Sequence, residues 1–252
     1  MTNKSLNEIP ENSGSMGLME HLHELRKRLV ISLVAILIGS VITYINSLHV
    51  FSFLTQPFFS SFTPEQLIGT GPAEAFVLKL KTAVASGIVL VSPFLFLQIW
   101  LFISPGLYES EKKLALPFIL FTSILFFIGV SFAYYVVLPF SLEFFKDEYV
   151  SIGITPAIRI GELLPLTVKL IIGFGFIFNL PILAYFLGRL GIINHKFLLK
   201  YFRHAVVLIF IVSAILTPPD VITQCLMAIP LLILYLISIF IVKYTAKKPI
   251  DF

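Results

Sequence analysis

Few side chains in this sequence can do chemistry, and most of those that can stand at the edges of long apolar runs. Glu20-His21-Leu22-His23-Glu24-Leu25-Arg26-Lys27-Arg28 precedes the first run. Phe102-Ile103-Ser104-Pro105-Gly106-Leu107-Tyr108-Glu109-Ser110-Glu111-Lys112-Lys113 follows the second. Two carboxylates supplied by separate segments grip a guanidinium through short charge-assisted bonds, a role that lysine fills less well on the cationic side. Each carboxylate also has a structural explanation. Glu24 stands four residues before Arg28, a helical pair worth about 0.3–0.5 kcal/mol. Glu109 and Glu111 suit the start of a helix dipole, and Ser110 or Glu109 fits an N-cap. His21 and His23, two residues apart, point to different helix faces and make no metal pair.

A second set of polar residues lies inside the apolar runs. Asn179 sits in Gly173-Phe174-Gly175-Phe176-Ile177-Phe178-Asn179-Leu180-Pro181, where a polar side chain needs a partner. Pro181 removes the amide that would bond the Ile177 carbonyl, so Asn179 either covers a freed carbonyl at a kink or lines a polar dent reached by a partner or substrate. Lys169 is close enough to a span end to snorkel outward. Asp220 stands where a helix N-cap belongs. Gln224, one turn further, faces either a neighbouring helix or an added transmembrane partner.

The elements that must position these groups follow from composition. The chain of 252 residues is 58% hydrophobic and 13% charged, with a mean hydropathy of +0.97. A soluble domain carries about 25% charged residues, so this is an integral membrane protein. One cysteine, Cys225, excludes an internal disulfide and a cysteine-based metal centre. No phosphate-binding loop, paired metal-ligand helix or nucleophile elbow is present, and no basic stripe with interleaved aromatics suggests nucleic acid. No cofactor is expected. The first 28 residues are polar and the first apolar run lacks a cleavage site, so that run is expected to stay in the membrane.

The expected fold is all-α with six spans: Leu29–Ile45, Ala75–Phe102, Leu114–Pro139, Leu163–Leu187, a short fifth from Ala205 to Leu216, and Val221–Val242. Thr217-Pro218-Pro219-Asp220 breaks the last pair. Leu18, Leu22, Leu25 and Leu29 recur at helical spacing, so an amphipathic helix leads into the first span. Pro93 and Pro230 predict kinks and a concave bundle. The phenylalanine-rich segment 51–62 and the tract 141–160 are expected to pack as caps on the outer surface. Residues 1–16 form a polar tail, 17–242 the membrane domain and 243–252 a basic tail. Thirteen of the 18 Lys and Arg residues fall in the segments that share a side with the N-terminus, against Lys146 and Arg159 on the other, which places both termini in the cytoplasm.

Five motifs carry a resemblance that covers residues 17 to 242. Glu-His-Leu-x-Glu-Leu-Arg-Lys-Arg-Leu before span one, Phe-Ile-Ser-Pro-Gly-Leu-Tyr-x-x-Glu-Lys-Lys after span two and Leu-Thr-Pro-Pro-Asp before span six resemble the TatC family. Gly-Pro-Ala-Glu-Ala-Phe (71–76) and Phe-Ala-Tyr-Tyr-Val-Val-Leu-Pro (132–139) fit it too. That family is the multispanning subunit of the twin-arginine protein translocase of the bacterial inner membrane. The resemblance implies a non-enzymatic receptor for folded precursors with Arg-Arg signal peptides. Glu24 and Glu111 would hold the two arginines, with Arg26 and Phe102 alongside. It implies single-span TatA and TatB type partners docking near Gln224, Thr217 and Asp220, an oligomeric complex, and transport driven by the proton gradient. The family's usual glutamate in span four is Asn179 here; asparagine keeps size and hydrogen bonding but cannot titrate. The competing reading is a small-molecule or ion transporter with a polar path through Asn179, Lys169 and Gln224.

Overall fold

The structure, a computed structural model, describes residues 18–63, 66–106, 112–217 and 220–245. The N-terminal tail, residues 246–252 of the C-terminal tail, the Glu109–Glu111 stretch and Pro218-Pro219 lie outside the described residues, while 243–245 continue the last helix. Five helical stretches are long and apolar enough to cross a membrane: Met19–Ile45, Glu74–Gly106, Ala115–Ser151, Ile160–Arg189 and Val221–Thr245. The sixth, Phe202–Leu216, has 15 residues and so spans about 22 Å. Six crossings return the chain to the face on which it started.

Helix α1 (Leu18–Ile45) joins the lead-in segment and first span without a break. It lies against α3 (Glu74–Ile103). The crossing is closed by two glycines: a Cβ on Gly87 would come within 2.6 Å of the Ser40 nitrogen, and one on Gly39 within 3.0 Å of the Gly87 carbonyl. Small residues at such a crossing let the backbones approach, the usual basis of helix association in lipid. Thr43 uses that proximity and donates to the Ala83 carbonyl at 2.7 Å. The leucine stripe of the lead-in points away from α3; Leu22, Leu25 and Leu29 are all exposed. In a bilayer the apolar side faces lipid and the polar side faces the neighbouring helix.

Between them, α2 (Ser47–Ser61) forms part of a cap at the far end of the bundle. Phe58 and Phe62 stack with centroids 4.9 Å apart and pack with Leu142 and Leu163, so the apolar outer segment is packed into the cap. The cap also holds a two-residue parallel pairing absent from the sequence expectation, β1 (Leu67–Ile68) against β2 (Ile158–Arg159). Glu74, the first residue of α3, accepts backbone N–H bonds from Thr70 and Gly71 at 2.5 and 3.0 Å. Arg159 donates to the Thr70 hydroxyl at 2.8 Å.

The third span departs from its expected end at Pro139. Helix α4 (Ala115–Phe132) passes through a five-residue π-turn, Ala133–Val137, into α5 (Leu138–Ser151). Pro139 falls in the first turn of α5, where a missing amide is tolerated. The fourth span is two helices, α6 (Ile160–Ile177) and α7 (Leu180–Arg189), broken at Phe178-Asn179. A short α8 (His195–Lys200) leads to α9 (Phe202–Leu216) and α10 (Val221–Thr245). Pro93 lies inside α3. The amide it lacks would have bonded the Val89 carbonyl, and the Ser92 hydroxyl donates to that oxygen instead, at 2.8 Å. The core is apolar and runs along the bundle, with Ala133, Leu164, Phe174, Met227 and Ala228 fully enclosed.

Candidate functional site

Three positions on α1, spaced three and four residues apart, share the face against α3: His21, Glu24 and Arg28. The His21 ring stacks on Phe102 with centroids 4.5 Å apart and an angle of 23°. The Glu24 Oε1 atom accepts from Arg28 Nε and Nη2, each at 2.7 Å. Arg28 Nη1 then donates across the helix pair to Gln98 Oε1 at 3.2 Å. The Glu24 and Arg28 side chains are 18% and 21% exposed, and Gln98 only 5%. The pair is therefore partly desolvated and crosslinked to a second helix, which strengthens it beyond a surface ion pair. Glu24 already holds a guanidinium, and only one of its oxygens is engaged in doing so.

Of the residues expected at this face, the structure brings Glu24 and Phe102 onto one strip, with His21 against Phe102 on one side of Glu24 and Arg28 on the other. Arg26 is exposed on another side of α1. Glu111 lies outside the described residues; the chain leading to it leaves α3 through the 3-10 turn Ser104–Gly106. Gln98 was not anticipated. Its signal was present all the same, since a lone amide within Phe94-Leu95-Phe96-Leu97-Gln98-Ile99-Trp100 must find a partner.

Asn179 occupies the break in the fourth span. Its backbone N–H bonds the Phe176 carbonyl, tightening the turn, and its side-chain amide donates to the Gly175 carbonyl at 3.0 Å. The side chain thus replaces the bond that its own backbone gave up, and the carbonyl covered is that of Gly175, not Ile177. Its other atom, Oδ1, is buried without a hydrogen-bond partner among the described residues.

The third locus is the hairpin between α9 and α10. Asp220 caps α10, accepting from the Thr223 backbone N–H at 2.7 Å and from the Thr223 hydroxyl. Gln224 Nε2 reaches across to the Phe210 carbonyl of α9 at 3.0 Å, so its partner is the neighbouring helix. Thr217 is buried and donates to the Ser213 carbonyl at 2.9 Å. The Ser213 hydroxyl itself is buried and unpaired among the described residues. The same residues cap, staple and terminate the shortest span of the bundle.

A cavity of about 450 Å³ opens between α2, α3, the π-turn and α6, walled by Phe53, Ala85, Val130, Tyr135 and Ile172. It is apolar for the most part, and none of the charged residues of the N-terminal face reaches it. No cluster of potential metal ligands occurs among the described residues.

Residues 20–230 match the family described as Sec-independent protein translocase protein (TatC). The chain is 42% identical over 234 residues to the Sec-independent protein translocase protein TatC of Helicobacter pylori (strain 26695), covering 93% of this chain and 90% of that one. It is 40% identical over 231 residues to the TatC protein of Desulforapulum autotrophicum, covering 91% and 85%. Two solved structures of the twin-arginine translocase receptor TatC superpose on it. One has a TM-score of 0.81 at 39% identity, covering 88% of this chain and 98% of that one. The other, in the detergent DDM, gives 0.83 at 40% identity, covering 89% and 100%. With the six-helix fold, the family match and these likenesses in agreement, the chain belongs to the TatC family of Sec-independent protein translocase components.

Proposed function

We propose that this chain is the receptor of a twin-arginine export system, binding Arg-Arg signal peptides on the face that carries Glu24. The observation that supports this reading most is the hold of a single Glu24 oxygen on two nitrogens of Arg28, beside the His21–Phe102 stack. A carboxylate so oriented and partly desolvated suits a guanidinium, which supports the reading. An incoming arginine takes the second oxygen, Oε2, or displaces Arg28 from Oε1. Glu111 supplies the second acidic group from the segment after α3, and Phe102 offers an aromatic edge to the peptide. Arg26, exposed on a different side of α1, contributes by positioning the helix at the lipid headgroups.

In this reading the Glu24 face is cytoplasmic. The excess of Lys and Arg in the segments on that side supports the orientation, because such residues resist transfer across the membrane. The membrane is the bacterial plasma membrane. The α9–α10 hairpin, with Thr217, Asp220 and Gln224, recruits single-span partner subunits. Its short span leaves lipid-exposed Val207, Leu208, Ile211 and Ile215 for a helix to cover. Asn179 supports the break in the fourth span by a hydrogen bond and takes no proton. The chain acts as receptor and scaffold, and the proton gradient supplies the work.

The test is photocrosslinking of a synthetic Arg-Arg signal peptide to the chain in native membranes, with Glu24→Gln and Glu111→Gln variants. A charge-assisted bidentate bond accounts for at least about 1.5–3 kcal/mol, so each variant is expected to lose about tenfold or more in crosslinking while inserting normally. Undiminished crosslinking in both would overturn the assignment.

A further inference from the structure

Lys81 on α3 and Lys169 on α6 are the charged residues lining a groove of about 480 Å³ between those two helices. Val84, Ile88, Val168 and Ile172 make up much of the remaining wall. Both lysines are exposed, and neither has an ion-pair partner among the described residues. Lys81 lies seven residues into α3 and Lys169 nine residues into α6, or about 10 and 14 Å from the helix ends. A lysine stem reaches back over part of that distance. Their ammonium groups therefore come to the level where lipid headgroups meet acyl chains.

Two cations on one groove repel each other, and at that depth water screens them weakly. No described residue supplies a counter-charge here, and apart from Thr82, whose hydroxyl bonds the Leu78 carbonyl, the rest of the lining is apolar. A ligand complementary to both features carries negative charge at one end and hydrocarbon at the other. We propose that this groove is a binding site for an anionic phospholipid of the leaflet at the Glu74 end of the bundle. The phosphate sits between Lys81 and Lys169, and one acyl chain lies along Val84, Ile88 and Ile172. A zwitterionic lipid brings its own ammonium group and leaves the pair under-compensated. A free phosphate ion leaves the apolar wall unused.

The experiment is native mass spectrometry of the purified chain in mild detergent with equal amounts of dioleoyl phosphatidylglycerol and dioleoyl phosphatidylcholine. The chain is expected to retain phosphatidylglycerol in preference by about tenfold, the effect of two lysines near a headgroup. The double variant Lys81→Gln, Lys169→Gln loses that preference, and Lys81→Arg, Lys169→Arg keeps it. Circular dichroism and gel filtration confirm that both variants remain folded, as substitutions of exposed side chains should. Excess glycerol 3-phosphate leaves the bound lipid in place. An unchanged preference in the glutamine variant, equal retention of the two lipids by the native chain, or displacement of lipid by glycerol 3-phosphate would each overturn the proposal.

Discussion

The Tyr134 hydroxyl donates to the Phe53 carbonyl at 2.6 Å, and that carbonyl is the one Pro57 leaves without its helical partner. Pro57 lies inside α2, so no amide exists four residues after Phe53 to close the turn. The two rings stack as well, with centroids 4.3 Å apart and nearly parallel planes. The third span thus repairs a defect in the cap helix, and the π-turn at Ala133–Val137 is the segment that presents the repairing side chain. A π-turn shifts the register of the residues after it by widening the helix by one residue.

Tyr134→Phe keeps the stack and removes the hydroxyl, leaving the part-buried Phe53 carbonyl without its partner. The expected cost is about 1–2 kcal/mol, concentrated in the cap. Hydrogen exchange should quicken in α2 before it changes in α4, and a uniform change across the bundle would contradict this.

Gly87→Ala introduces a methyl group against the Ser40 backbone, where α1 and α3 touch. Backbone cannot rotate out of the way as a side chain can, so the helices must separate. About 1–3 kcal/mol of destabilisation is expected from overpacking of this kind. Separation also stretches the Arg28–Gln98 bond and the His21–Phe102 stack at the end of the same crossing. Thermal unfolding in detergent, together with signal-peptide crosslinking, should show both losses from this single methyl group.

Arg28→Ala frees the Glu24 carboxylate from its internal guanidinium and removes a positive charge near an incoming cationic peptide. Both effects favour the peptide, so its affinity is expected to rise, by about fivefold for one charge-assisted contact no longer in competition. Titration of a labelled Arg-Arg peptide reads the change directly. A drop in affinity would mean that Arg28 orients Glu24 and does not compete with the peptide.

Asn179→Asp replaces a donor by a carboxylate beside the Gly175 carbonyl, an acceptor. The bond at 3.0 Å cannot form while the carboxylate is ionised, and the break in the fourth span loses its brace. A loss of about 1–3 kcal/mol is expected at neutral pH. The protonated acid can donate again, so stability should recover as the pH falls. A variant as stable at neutral as at acid pH would remove the brace from the account.

Much of the helical framework was legible in the sequence because crossing a membrane is a local requirement on length and apolarity. The Asp220 cap was legible for the same reason: its partner, Thr223, is three residues away. The Glu24–Arg28 pair was visible as an i,i+4 spacing, though its role as support or recognition was not. What could not be read was direction. The leucines at 22, 25 and 29 marked a helix with two faces, but in lipid an apolar stripe can face outward, and here it does. Nor did a proline announce which donor would replace its amide. Ser92 does so locally for Pro93 and Tyr134 from another span for Pro57.

The number of spans, the break in the fourth and the Asp220 cap were therefore determined by the chain alone, since each depends on residues within one or two helical turns; the continuation of the third span past Pro139 was not. The partners of Arg28 and Phe53 were not, because Gln98 lies 70 residues from the first and Tyr134 lies 81 residues from the second. Such pairs exist only once two helices cross at a given point and angle. Gly39 and Gly87 set one of those crossings by allowing backbones to touch, and a contact distance between helices is a property of the packed bundle.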